Sequence, residues 1–222
     1  MTHLAKIKEE VLQVGHALLD KGLVSGTWGN ISVRIPETTL LAVTPSGRDY
    51  HILTMDDIVI VDGVGITVEG NLKPSSELPL HLAIYKSRVD IQAIVHTHSI
   101  FASACAVAHK SIPPIIEDLV QLTGGSVDVA AYALPGTEIL AQNVVVALGN
   151  KNAVLMANHG VVGCGQTLEE AMLACELVEK AAQIYIYANQ IGGAQLLSNE
   201  DIDVMHNFYE KYYRQRQQGR KI

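Results

Sequence analysis

Apolar residues recur at helical spacing over the first twenty positions. Leu4, Ile7, Val11, Leu12, Leu18 and Leu19 line one face of a helix that Gly22 can end. The period then shortens. Ile31 to Ile35, Leu40 to Thr44, Ile58 to Val61 and Ile66 to Val68 are β-like runs divided by Gly, Pro and Asp, and they predict an antiparallel meander. Helical spacing returns from Ser76 to about Arg88, followed by a buried strand over Ile91 to His96. Ser99 to Ala108 reads as a helix of small residues, Val127 to Leu134 as a strand, Thr137 to Leu148 as a helix, and Ala153 to Ala157 as a second buried strand. Thr167 with Glu170 three positions on has the capping-box pattern and predicts the start of a long helix reaching about Asn189. A last helix spans roughly Asn199 to Tyr213. Strands and helices mixed in this order predict one α/β or α+β sandwich.

The 222 residues are enough for one domain with a sizeable core. With 48% hydrophobic and 18% charged residues, the composition is that of a globular chain rather than a disordered one. The formal charge of -7 excludes a global basic surface for nucleic acid, so an anionic substrate needs local donors. No apolar run reaches the ~18 residues of a membrane span. The first ten residues alternate charged and apolar positions, unlike a signal peptide, and predict a cytoplasmic protein without membrane contact. Cys105, Cys164 and Cys175 are odd in number and lack CxxC spacing, which predicts reduced, buried thiols.

His96-Thr97-His98 ends an apolar run that includes Ile94 and Val95. Residues i and i+2 of a strand share a face, so both imidazoles can meet one ion. His159 follows the second buried strand and sits in the turn Asn158-His159-Gly160. Three imidazoles with a vacant fourth position form a catalytic zinc site rather than a closed structural one, and other divalent ions fit the same donors. His3, His16, His51, His109 and His206 lack such a setting. His81 lies one helical turn after Glu77 and can steady it.

Pro74-Ser75-Ser76-Glu77 opens a helix whose free N–H groups attract an anion. Glu77 in that first turn is either a dipole-favouring carboxylate or a general base beside a phosphate cradle. Gly26-Thr27-Trp28-Gly29-Asn30 and Thr44-Pro45-Ser46-Gly47 offer further backbone N–H groups and hydroxyls.

Gly29-Asn30-Ile31-Ser32, Thr44 to Gly47, Ser75 to Glu77, His96 to His98 and Asn158 to Gly160 occur in that order. The ordered set resembles the class II aldolase/adducin family over nearly the whole chain. The resemblance implies an α/β fold, with residues 1–222 forming a single-domain three-layer α/β/α sandwich around a central, mainly antiparallel sheet. Residues from about 214 to 222 would form a mobile tail. It implies a homotetramer of C4 symmetry with active sites between subunits. It further implies one Zn2+ per subunit on His96, His98 and His159, with Glu77 as a fourth ligand that leaves the metal to act as base. Gly29, Asn30, Ser46, Gly47, Ser75 and Ser76 would bind the phosphate and enediolate of dihydroxyacetone phosphate, the substrate being a small phosphorylated sugar, with neither nucleic acid nor membrane as a partner. Tyr212 would close over a neighbouring site. The implied reaction is reversible cleavage of a ketose 1-phosphate such as L-fuculose 1-phosphate to dihydroxyacetone phosphate and a small aldehyde such as lactaldehyde.

One departure stands out. The branch acting on L-fuculose 1-phosphate carries an acidic tyrosine between a Ser-Ile-Pro stretch and a Gly-Gly. Here Ser111-Ile112-Pro113 leads through Ile116-Glu117-Asp118 to Gly124-Gly125 without one. Glu117 is then either the replacement proton donor or a plain helix-start carboxylate. Three other readings of the same motifs are an aldolase for 5-deoxypentulose or methylthio-pentulose 1-phosphates, an L-ribulose-5-phosphate 4-epimerase and a non-catalytic adducin-like module. The epimerases usually read Ser-Ser-Asp where this chain has Ser-Ser-Glu, and the module has no need of the three histidines.

Overall fold

The structure is a computed structural model and describes residues 3–214. Eight strands form one sheet in the order β4-β3-β2-β1-β5-β8-β7-β6. They are β1 (Asn30–Arg34), β2 (Leu41–Val43), β3 (Val59–Val61), β4 (Thr67–Glu69), β5 (Ala93–Thr97), β6 (Val129–Ala130), β7 (Ala153–Met156) and β8 (Gly160–Gly165). Every neighbouring pair is antiparallel except β6 with β7. Among the described residues the seven α-helices are α1 (His3–Asp20), α2 (Leu78–Ser87), α3 (Ile100–Val107), α4 (Glu117–Thr123), α5 (Glu138–Leu148), α6 (Leu168–Gln190) and α7 (Asn199–Phe208).

Strand alternation divides the core in two. On β5, Ala93 and Val95 join the cluster built with α1, α3, α4 and α6, while Ile94 joins the cluster built with α2 and α5. On β7, Leu155 and Met156 divide the same way. Helices therefore cover both faces, giving the expected three layers and the expected β1–β4 meander. Each fully buried Ile or Leu contributes about 1.5–3 kcal/mol to holding the layers together.

Three elements differ from expectation. The strand foreseen over Val127 to Leu134 shortens to the two residues of β6. The six-residue β8 is not among the expected elements, and the seven-residue α4 enters only through the reading of Glu117 as a helix-start carboxylate. β8 reads Gly-Val-Val-Gly-Cys-Gly, a composition that local propensity disfavours. Its glycines answer to tertiary contact. A Cβ on Gly163 would lie 2.5 Å from the Ala171 carbonyl oxygen, and one on Gly165 would lie 2.6 Å from Ala171 N. α6 thus lies directly against the β8 backbone, closer than any side chain permits.

Arg214 is buried and paired with Glu170 at 2.6 Å, so it is anchored rather than part of a tail; the rest of the expected tail, 215–222, lies outside the described residues. Cys105, Cys164 and Cys175 are free and buried, as expected. No helix among the described residues is long and apolar enough to cross a membrane.

Candidate metal centre

Three strands bring their chemistry to one end of the sheet. Asn30 opens β1 and pairs across from His96 on β5, which pairs on its other side with Val162 of β8. His159 stands just before β8, behind an Asn158 whose φ of 57° turns the chain sharply. His96 shares the parity of Ile94, so its ring enters the layer occupied by α2. Glu77, the N-cap of α2, meets it there.

The three rings of His96, His98 and His159 stand edge to face, with centroids 4.7, 4.8 and 4.9 Å apart. One ring nitrogen from each lies within 4.8 Å of the others. His96 Nδ1 donates to the Val161 carbonyl at 2.8 Å, which leaves Nε2 unprotonated and turned towards the other rings. Burial pushes His96 well below the usual histidine range, and the neighbouring His159 and His98 rings push it further. Burial likewise takes His98 down to about 4. Both rings are therefore neutral ligands at neutral pH.

Glu77 completes the cluster. Its Oε2 lies 3.3 Å from His96 Nε2 and its Oε1 lies 3.6 Å from His159 Nε2. These distances suit ion pairs, yet His96 is neutral, so the pairing lacks its positive charge. Glu77 is only 5% exposed, and its Oε1 is buried without a hydrogen-bond partner. Three clustered imidazoles with a buried carboxylate facing two of them, His96 and His159, fit a divalent cation, with His96, His98, His159 and Glu77 as its candidate donors.

The family model described as the class II aldolase and adducin N-terminal domain matches residues 9–186. The chain belongs to the class II aldolase and adducin family. A 5-deoxy-D-ribulose 1-phosphate aldolase of Bacillus thuringiensis serovar kurstaki is 36% identical, over 96% of this chain and 99% of that one. An L-fuculose phosphate aldolase of Escherichia coli strain K12 is also 36% identical, over 93% of this chain and 95% of that one. A solved L-fuculose 1-phosphate aldolase structure superposes with a TM-score of 0.89 at 38% identity, covering 92% of this chain and 96% of the other. The fold is that of the class II aldolases.

Within this class II aldolase fold, the anticipated anion loops lie side by side. Ser46 N donates to the Lys73 carbonyl at 2.9 Å, and Ser75 N donates to the Thr44 carbonyl at 3.0 Å. Ser46, Gly47 and Ser76 are exposed, whereas Ser75 is buried. Ser75 Oγ accepts from Glu77 N at 3.2 Å, and Glu77 is the N-cap residue. Gly29 has a φ of 81°, and a Cβ there would lie 2.7 Å from the His96 carbonyl, so glycine lets this loop reach the metal end of β5. Asn30 is buried and donates to Glu77 Oε2 at 2.9 Å.

Among the described residues no hydrogen bond, ion pair or ring contact joins Glu117 or Tyr212 to the cluster. Glu117 is the exposed first residue of α4. The Tyr212 ring lies tilted against Phe208 with centroids 5.6 Å apart, two residues before Arg214, whose partner Glu170 accepts from Gln166 N at the end of β8 remote from His159. Two features escaped sequence reasoning. The Trp28 ring, 64% exposed, lies over His98 with centroids 5.7 Å apart, although only its loop had been singled out. His81 reaches Glu77 through Asn30 rather than directly.

Proposed function

We propose that this class II aldolase-family chain is a zinc-dependent lyase of the cytoplasm that reversibly cleaves a ketose 1-phosphate, of the L-fuculose 1-phosphate kind, to dihydroxyacetone phosphate and a small aldehyde such as lactaldehyde. The observation that carries this reading is the Glu77 carboxylate, with one oxygen unpartnered, against His96 and His159. A bound divalent ion supplies Lewis-acid polarisation of the substrate carbonyl and offsets the negative charge of bond cleavage. In the synthetic direction Glu77 takes a proton from the carbon of dihydroxyacetone phosphate, as general-base catalysis requires. Backbone N–H groups of Gly29, Gly47 and Ser76 and the hydroxyls of Ser46, Ser75 and Ser76 hold the phosphate and enediolate, since the Ser46 and Ser75 N–H groups are taken by the Lys73 and Thr44 carbonyls, and the second Asn30 N–H is offered alongside. Glu117, or Tyr212, gives a proton to the aldehyde oxygen from a neighbouring subunit of a C4 homotetramer. Support for that assembly comes from the exposure of Glu117 and Tyr212, and from exposed Val64, Ile66, Val68 and Val146.

A second substrate fits equally. The relative named for 5-deoxy-D-ribulose 1-phosphate matches at the same 36% identity as the fuculose phosphate relative. The lack of a tyrosine between Pro113 and Gly124 favours an aldehyde end unlike that of the fuculose branch. A cleavage panel decides. Fuculose, rhamnulose, ribulose and 5-deoxyribulose 1-phosphates are each incubated with the metal-loaded protein, and triose phosphate release is followed. L-ribulose 5-phosphate epimerisation is run beside them. Epimerisation without triose phosphate release, or no turnover of any sugar, overturns the aldolase reading.

A further inference from the structure

Behind Glu77 a line of buried side chains runs into the α2 layer. Asn30 Nδ2 donates to Glu77 Oε2 at 2.9 Å, and Asn30 Oδ1 lies 2.5 Å from His81 Nε2. His81 Nδ1 lies 2.6 Å from Ser32 Oγ, which is itself 2.9 Å from the Tyr85 hydroxyl. The line joins β1 to the first two turns of α2, since Asn30 and Ser32 share a face of the strand while Glu77, His81 and Tyr85 share a face of the helix.

The protons in this line follow by elimination. An ionised Glu77 only accepts, so Asn30 turns its NH2 towards the carboxylate and its carbonyl away. That carbonyl only accepts, so His81 carries its ring proton on Nε2. His81 is completely buried, and desolvation takes it down to about 4, so the ring holds one proton and its Nδ1 accepts. Ser32 O–H must then donate to Nδ1. With its own proton committed, Ser32 receives rather than gives at Tyr85, whose hydroxyl also reaches the Ser32 carbonyl at 3.0 Å.

We infer that His81, held as the neutral Nε2–H tautomer, is a positioning residue for proton transfer that acts through Asn30 on Glu77. An asparagine amide is nearly symmetric in shape, and only its partners tell oxygen from nitrogen. The His81 N–H fixes which end faces the base. A flipped amide would set a carbonyl oxygen against the Glu77 carboxylate and remove a charge-assisted hydrogen bond. His81 thus keeps the base aimed at the imidazoles and keeps the Asn30 donors facing the site. This inference deepens the aldolase reading and rests on Glu77 as the base.

The test uses the metal-loaded protein and two independent readouts. The first is the histidine-ring 15N spectrum at neutral pH, which reads the tautomer without any substrate. Protonated Nε2 and bare Nδ1 at His81 are expected; a proton on Nδ1 overturns the inference. The second is exchange of the dihydroxyacetone phosphate carbon-bound proton with deuterated solvent in the absence of aldehyde. His81→Phe should keep its metal and lose roughly 10- to 100-fold in exchange rate, the scale typical of residues behind a metal ligand, with KM little changed. His81→Gln restores an N–H at the Nε2 position and should recover most of that loss. Equal exchange in His81→Phe and the parent protein, or no recovery in His81→Gln, overturns the inference. Ser32→Ala serves where His81→Phe fails to fold: it frees the tautomer and should slow exchange by a smaller factor, with an unchanged rate counting against the relay. A parent protein that exchanges no proton refutes Glu77 as the base, while the ring spectrum still decides the direction of the relay.

Discussion

Glu77 Oε2 lies 3.3 Å from His96 Nε2, and both side chains are buried. Since His96 is held neutral by burial, it cannot balance the carboxylate. A buried ion without a counter-charge costs several kcal/mol, and a cation among the three rings removes that cost. The protein as purified should therefore carry about one divalent ion per chain, and loading should raise Tm because the ion binds only the folded state. His96→Ala should abolish tight binding. Metal analysis after gel filtration checks this, and an unchanged metal content in His96→Ala would remove the site.

Glu77→Gln replaces the carboxylate by an amide of nearly the same shape. Three imidazoles remain, so metal should stay bound with weakened affinity, while the rate falls by about 100-fold or more, the scale of a lost general base. Substrate affinity should change far less, because the phosphate contacts belong to the neighbouring loops. Steady-state kinetics at saturating metal separates the two effects. Near-normal turnover would require a different base.

The buried histidines also dictate how the metal-free protein responds to acid. His81 titrates at about 4 when folded, because burial penalises its charged form more than the Glu77 charge favours it. In the unfolded chain it takes a proton near pH ~6.5. Between those values the unfolded state binds more protons, so stability rises with pH and is lost as pH falls from ~6.5 towards ~4. His98 is displaced to about 4 in the same direction. His81 alone contributes on the order of 3 kcal/mol across that window. Thermal melts of metal-free protein should show Tm falling below pH ~6.5, with a shallower slope in His81→Phe by up to one proton. A Tm that is flat over this range would contradict the burial of neutral rings.

Much of this site was legible because it rests on local rules. The i, i+2 spacing of His96 and His98 at the end of an apolar run places both rings on one side of the sheet. Thr167 with Glu170 fixed the start of α6, where Thr167 Oγ1 accepts from Glu170 N at 3.1 Å. β8 was not legible, because Gly163 and Gly165 are set by the approach of Ala171 rather than by any preference for strand. The same limit hid the relay. Glu77 and His81 are neighbours on α2, but Asn30 and Ser32 reach them only through the pairing of β1 with β5 and the folding of α2 over the sheet. Spacing along one helix suggested that His81 steadies Glu77; only the tertiary contact shows that Asn30 stands between them.

Glu117 tests the assembly as well as the chemistry. It opens α4 on the exposed surface, and in the proposed mechanism it delivers the proton to the aldehyde oxygen. If Glu117 serves the site of a neighbouring subunit, Glu117→Gln should slow aldehyde protonation while leaving solvent exchange of dihydroxyacetone phosphate intact. The defect then belongs to a different chain from the Glu77 defect. In a ring built on one repeated heterologous interface, mixing Glu77→Gln and Glu117→Gln chains yields some sites with both native carboxylates. Random reassembly of equal amounts should restore roughly a quarter of the parent aldol activity from two nearly inactive stocks. Restored activity fixes the donor on the partner side of the site. A mixture no more active than its components would place both groups in one chain, and full activity of Glu117→Gln alone would move the role to Tyr212, with Tyr212→Phe replacing it in the same mixing experiment.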